Sequence, residues 1–110
     1  MATEKPLSAE LSLVKNSVRI SGVLNFETVP VLMKQAEQLF GELDKVSVDL
    51  AEVSDSNSAG LAMLVEMQRI IKMQKKSIDF KNLPEQITII AAAYGIDTEL
   101  GSFLNLAANS

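Results

Sequence analysis

The chain contains neither cysteine nor histidine. Without cysteine there are no disulfides, thiol nucleophile or thiolate metal site. Without histidine the commonest metal ligand and general base are missing as well. Most familiar hydrolase and metalloenzyme schemes are excluded with them, and no cofactor is called for. Glycine is sparse: Gly22, Gly41, Gly60, Gly95 and Gly101 stand singly. Neither GxxxxGK[ST] nor GxGxxG occurs, so nucleotide binding by a phosphate-cradling loop is unsupported. The most apolar stretch, ITIIAAAYGI, falls far short of the roughly 20 residues that span a bilayer. The opening MATEKPLSAELSLV lacks the basic segment and apolar run of a secretory signal. These absences predict a cytoplasmic protein with no direct membrane insertion.

Acidic residues outnumber basic ones, 14 to 10, for a net charge of −4. Nucleic-acid binding depends on clustered Lys and Arg that displace counterions from phosphates, so nucleic acid is not an expected partner. The only basic cluster, Lys72, Lys75 and Lys76, closes a predicted helix, where cations favour the negative end of the dipole. With 47% apolar and 22% charged residues in 110, the composition is that of an ordinary globular protein, and residues 1–110 are read as one domain with one modest core.

Leu11 and Leu13, then Val18, Ile20 and Gly22, alternate with polar neighbours on either side of KNS, which predicts a hairpin. Thr28 is placed to cap a helix carrying Pro30 in its first turn. Its apolar positions Val29, Leu32, Met33, Ala36, Phe40 and Leu43 follow helical spacing. KVSVDLAEV predicts a third strand with Val46, Val48 and Leu50 on one face. A long helix follows from about Ser58 to Lys76, then a strand SIDFKNL. A helix begun by Pro84 has Ile87, Ile90, Ala91 and Tyr94 on its stripe and Gly95 at its C-cap. Asp97 or Thr98 caps a last helix with Leu100, Phe103 and Leu104 inward. Alternating strand and helix after a hairpin predict an α/β fold, a mixed sheet of four or more strands with helices packed against it.

Between the third strand and the long helix lie five consecutive polar residues, Ser54, Asp55, Ser56, Asn57 and Ser58. Open α/β folds put binding surfaces where a parallel strand ends and a helix begins. Ser56, Asn57 or Ser58 serves as a helix cap, and a hydroxyl there is also a favourable place for a phosphate. Ser58 has no histidine base, and the lysines of its helix lie at the far end, roughly 20 Å away at 1.5 Å per residue. Nucleophilic catalysis is not expected. Carboxylates such as Asp49 with Glu52 or Asp55 are read as solvated or capping groups.

The segment VDLAEVSDSNSAGLAML resembles the signature of STAS domains, named for sulfate transporters and anti-sigma-factor antagonists. In that signature a strand carrying an Asp leads to a loop, then an acid, a Ser or Thr, one small residue and Gly-Leu. Anchored on Gly60 and Leu61, the match puts Asn57 at the acidic position and Ser58 at the hydroxyl position that many members phosphorylate. Asp49, Val53 and Ala59 also fit. Two departures stand out: Asn57 replaces the usual acid, and Asp55 and Ser56 stand where apolar residues commonly precede it. SGVLNFETV is similar to the family's second strand and the loop into its first helix, so the resemblance covers nearly the whole chain and implies the STAS fold.

Within the family the chain is most similar to the small stand-alone subunits of Mla-type phospholipid ABC transporters, which bind the cytoplasmic ATPase and through it the permease. The resemblance thus implies a non-enzymatic protein peripheral to the inner membrane through its partner. The expected contact comprises Asp55, Ser56, Asn57, Ser58, Ala59, Ala62, Met63 and Glu66, with Ser58 a possible phosphorylation site. On the long helix, Gly60, Met63, Leu64, Met67, Ile70 and Ile71 form a core stripe, whereas Ala62, Glu66 and Arg69 follow Ser58 along another face; Leu61 and Val65 widen the apolar arc. The alternative partner implied by the family is an anti-sigma-factor kinase.

Overall fold

The computed structural model describes residues 8–94. Strand β1 (Ala9–Val14) and strand β2 (Ser17–Leu24) form the expected hairpin. Lys15 and Asn16 between them both have positive φ, 51° and 68°, the two-residue turn whose twist suits an antiparallel pair. Helix α1 (Thr28–Phe40), strand β3 (Lys45–Ser56), helix α2 (Ser58–Met73), strand β4 (Ser77–Lys81) and helix α3 (Glu85–Ala93) follow. The sheet order is β1-β2-β3-β4, with β2, β3 and β4 parallel. Both crossovers advance the sheet in the same direction, and right-handed crossovers of that kind lay their helices on one face.

The burial pattern agrees with that two-layer arrangement. Val18, Ile20, Leu24, Val46, Val48, Leu50 and Phe80 are buried on the helix side with Leu32, Ala36, Phe40, Met63, Leu64, Met67, Ile71, Ile87 and Ala91. The residues between them in the strands, Arg19, Ser47, Asp49, Asp79 and Lys81, are polar and wholly or partly exposed. Leu13 departs from the expected inward pattern at 46% exposed, because β1 is an edge strand and Leu13 lies at the turn end of the hairpin.

Local chemistry moved several expected boundaries. Thr28 does not cap α1. Asn25 does, its Oδ1 accepting from the amides of Glu27 and Thr28 at 2.8 Å each. Thr28 is buried, and its hydroxyl donates to the Val23 carbonyl at 2.7 Å and accepts from the Asn25 amide. Helix α2 ends at Met73 rather than Lys76, because Lys75 turns left-handed (φ 59°). The Lys75 and Lys76 amides then bond back to the Lys72 and Ile71 carbonyls, the paired bonds of a Schellman stop. Lys76 Nζ instead donates to the Phe40 carbonyl at 2.8 Å, satisfying an open group at the C-terminus of α1.

Strand β4 stops at Lys81, before left-handed Asn82 (φ 57°). Pro84 is the N-cap of α3 rather than its first residue. Tyr94, expected on the inward stripe, sits at the C-cap and is exposed. Gly95 and the last expected helix with Leu100, Phe103 and Leu104 lie outside the described residues.

Candidate functional site

The polar run is not a loop. Strand β3 continues through Ser54 and Asp55 to Ser56, and Asn57 alone separates it from α2. Two insertions explain the extension. From Arg19 to Leu24 strand β2 advances five residues, while its partner β3 advances seven, from Asp49 to Ser56, with register shifts at Arg19/Ser21 and Gly22/Val23. Continued alternation after Val46, Val48 and Leu50 would turn Glu52 and Ser54 inward. The two bulges leave both exposed and bring Ser56 back inward, where it is buried. Gly22 stands at the second shift with φ 97°, and a Cβ there would meet the Ser8 carbonyl and Ala9 Cα.

Asn57 closes the junction from both sides. Its amide donates to the Leu24 carbonyl at 3.1 Å, tying the end of β3 to the end of β2. Its side chain caps α2 by accepting from the Ala59 amide at 2.8 Å. The buried Ser56 hydroxyl donates to the Asn57 carbonyl at 3.0 Å. Gly60 packs over that hydroxyl and Leu24, and a Cβ at 60 would collide with Ser56 Oγ and stand 3.1 Å from Leu24 Cδ1. Of the three possible caps, Asn57 is therefore the one used. The Ser58 hydroxyl is left partly exposed on the first turn.

The eight expected contact residues separate into two groups. Asp55, Asn57 and Ala62 are exposed, and Ser58 and Glu66 partly so. Ser56, Ala59 and Met63 are buried and offer no side-chain surface: the second bulge turns Ser56 in, and the pitch of α2 puts Ala59 and Met63 on its core side. Leu61 is likewise buried, whereas Val65 is 44% exposed. Glu66 is ion-paired with Arg69, whose guanidinium also reaches Met73 Sδ at 3.2 Å. That pair lines a shallow groove between α1 and α2 with Glu37, Ile70, Met73 and Gln74; this groove does not include the β3–α2 junction.

Two neighbours of the site had no clear sequence signal. Gln86 on α3 reaches Asp55 Oδ1 at 3.4 Å, beside the 2.9 Å bond from the Ser56 amide to the same oxygen. Phe26, in the turn between β2 and α1, is 69% exposed. The only hint was an aromatic residue just before the α1 stripe and outside it.

Asp49, the motif's strand acid, is a structural group. Its Oδ1 accepts from Asn82 Nδ2 at 3.0 Å and the Ala51 amide at 2.9 Å. The Asn82 bond, followed by the Ala51 bond, holds its carboxyl below the usual carboxylate range. It is thus fixed as an anion across the first bulge.

A family model described as "Mlab, STAS domain" matches residues 8–105. The chain belongs to the STAS family. STAS domains are in general non-catalytic binding and regulatory modules that act through protein–protein contacts. The STAS fold is borne out by solved structures. The anti-sigma-factor antagonist SpoIIAA in its unphosphorylated form superposes with a TM-score of 0.63 at 14% identity, covering 82% of this chain and 83% of that one. The Bacillus cell fate determinant SpoIIAA in its phosphorylated form superposes with a TM-score of 0.62 at 14% identity, covering 82% and 86%. No curated protein sequence matches the chain. Among the described residues, no helix is long and apolar enough to cross a membrane.

Proposed function

We propose that this STAS protein is a non-enzymatic subunit that docks on the cytoplasmic ATPase of a phospholipid-trafficking ABC transporter and thereby contacts the permease indirectly. The observation that carries this reading is the family match, whose description names the Mla branch. The docking surface is the end of β3 and the first turns of α2: Asp55, Asn57, Ser58 and Ala62, with Gln86 of α3 beside them. Ala62 lies one turn beyond Ser58 on the same face and would let a partner's backbone approach closely. The subunit acts as a bound ligand does, favouring the arrangement of the ATPase that it binds more tightly.

Expression of the tagged protein in its native host at natural abundance, followed by mass spectrometry of what co-purifies, tests the reading. An ABC ATPase with its permease is expected, and Ser58→Arg is expected to abolish their recovery while far-UV dichroism is unchanged. Unchanged recovery with Ser58→Arg would remove this surface from consideration.

A second reading is that of an anti-sigma-factor antagonist switched by phosphorylation of Ser58. The fold likeness to SpoIIAA favours it, as does a partly exposed hydroxyl on the first turn of a helix. A phosphate would bring about −1.5 to −2 charges beside Asp55 and promote release by repulsion. Co-purification of a kinase-like anti-sigma factor, with a phosphoprotein in intact-mass spectra, would replace the transporter reading with this one.

A further inference from the structure

Phe26 projects from a turn that does not need it. Four hydrogen bonds lock the backbone around it: Asn25 Oδ1 accepts from Glu27 and Thr28, and the Thr28 hydroxyl joins the Asn25 amide to the Val23 carbonyl. The aromatic ring contributes to none of these and remains 69% exposed. It stands at the same end of the sheet as Ser58, because the Asn57 amide is bonded to the Leu24 carbonyl two residues before Phe26. A rigidly presented aromatic loses little freedom on binding, the property of an interface anchor.

Three carboxylates lie at the same end of the sheet as Phe26. Glu27 adjoins it, Asp55 is the next-to-last residue of β3, and Glu85 lies in the first turn of α3 beside the Asp55 partner Gln86. None of the three is ion-paired among the described residues. Each is near a helix N-terminus, where the dipole favours an anion, which accounts for the carboxylates but not for Phe26. Lys15, Lys45, Lys72, Lys75 and Lys76 gather at the opposite end, in the hairpin turn, at the start of β3 and at the end of α2. Residues 95–110 contain no Lys or Arg, and in residues 1–7 the single Lys5 is offset by Glu4, so neither segment carries a basic cluster of its own.

We infer that Phe26 is the apolar anchor of the docking surface, seated in an apolar pocket of the partner that is rimmed by Lys or Arg facing Glu27, Asp55 and Glu85. The inference rests on the transporter reading above and adds the chemistry of the partner's face. A basic rim would steer encounter and fix orientation, while the buried ring would set the dissociation rate.

Titration of the purified ABC ATPase subunit with the wild-type chain, Phe26→Ala, the double variant Glu27→Gln/Glu85→Gln and Ser58→Arg tests it. Thermal melts would confirm that each variant is folded. Phe26→Ala is expected to weaken binding at least tenfold, mainly through faster dissociation. The double variant is expected to slow association several-fold and to flatten the salt dependence, which for the wild type is a clear loss of affinity between 50 and 500 mM salt, on the order of tenfold. Phe26→Ala within twofold of wild type, or affinity indifferent to salt, would overturn the inference while loss of binding in Ser58→Arg left the docking reading standing. A wild-type chain that binds no ATPase would overturn both. Phe26→Ala that abolishes self-association in sedimentation but leaves ATPase binding intact would overturn it in favour of a second copy of this chain as the occupant.

Discussion

Gly60 lies directly over the Ser56 hydroxyl, so closely that no side chain fits between them. The contact joins the last residue of β3 to the first turn of α2 and to Leu24 of β2, and it sets how far the partly exposed Ser58 projects beyond the sheet.

Gly60→Ala is therefore expected to destabilise the fold by about 1–3 kcal/mol, the usual cost of overpacking a closed site. At roughly 4–8 °C per kcal/mol for a domain of this size, the thermal midpoint should fall visibly. Ser56→Ala removes the colliding oxygen, so the double variant should lose less than the sum of the two single losses. A strictly additive double variant would show that Ser56 is not the obstacle.

Asn57→Ala should cost about 1 kcal/mol through loss of the α2 cap, whereas Asn57→Asp should keep the cap and add a favourable anion at the helix N-terminus. Urea denaturation would rank the three proteins Asp at or above Asn, and Ala last. An Ala variant equal to wild type would mean that Ser56 or Ser58 takes over the cap.

Lys75 holds a left-handed conformation, with φ 59°, that costs an ordinary residue roughly 1–2 kcal/mol. Glycine avoids that strain and gives back part of the gain in unfolded-state entropy. Lys75→Gly is thus expected to stabilise the protein by about 0.5–1 kcal/mol, read as a higher denaturation midpoint with an unchanged slope. No gain, or a loss, would mean that the lysine side chain compensates for its backbone.

Asp49 makes stability sensitive to acid. Its folded-state pKa is depressed, first by the Asn82 bond and then by the Ala51 amide. The stability it contributes is therefore present above its unfolded pKa, near 4, and lost as pH falls through the lower folded value. Asn82→Gly keeps the left-handed backbone and deletes the donor. NMR titration of the Asp49 carboxyl should give a higher pKa in that variant, and the stability gap between variant and wild type should narrow in acid. An unmoved pKa would mean that Ala51 and the surrounding charges suffice.

Much of the fold was legible because period-two and period-3.6 patterns report directly which side of an element faces the core. Val46, Val48 and Leu50, or Leu32, Ala36 and Phe40, needed no tertiary knowledge. The spacing to Gly60 and Leu61 in the STAS-like segment singles out Ser58, which the structure puts at the start of α2. What local pattern could not convey was competition between neighbours. Thr28 reads as a cap, but the Asn25 carboxamide reaches two amides at once and leaves the threonine hydroxyl for Val23. The run from Asp55 to Ser58 reads as a loop, because its polarity signals solvent.

The alternating strands and helices, and with them the two-layer sheet, were thus determined by the order of apolar residues along the chain. The two bulges of β3, the burial of Ser56, Ala59 and Met63, and the meeting of Phe26, Asp55 and Gln86 at one end of the sheet were decided only by tertiary structure. They depend on how β2 and β3 fall out of register and on where α3 returns. Those include contacts between residues 31 positions apart, as Asp55 and Gln86 are, on which the local periodicity of the chain carries no information.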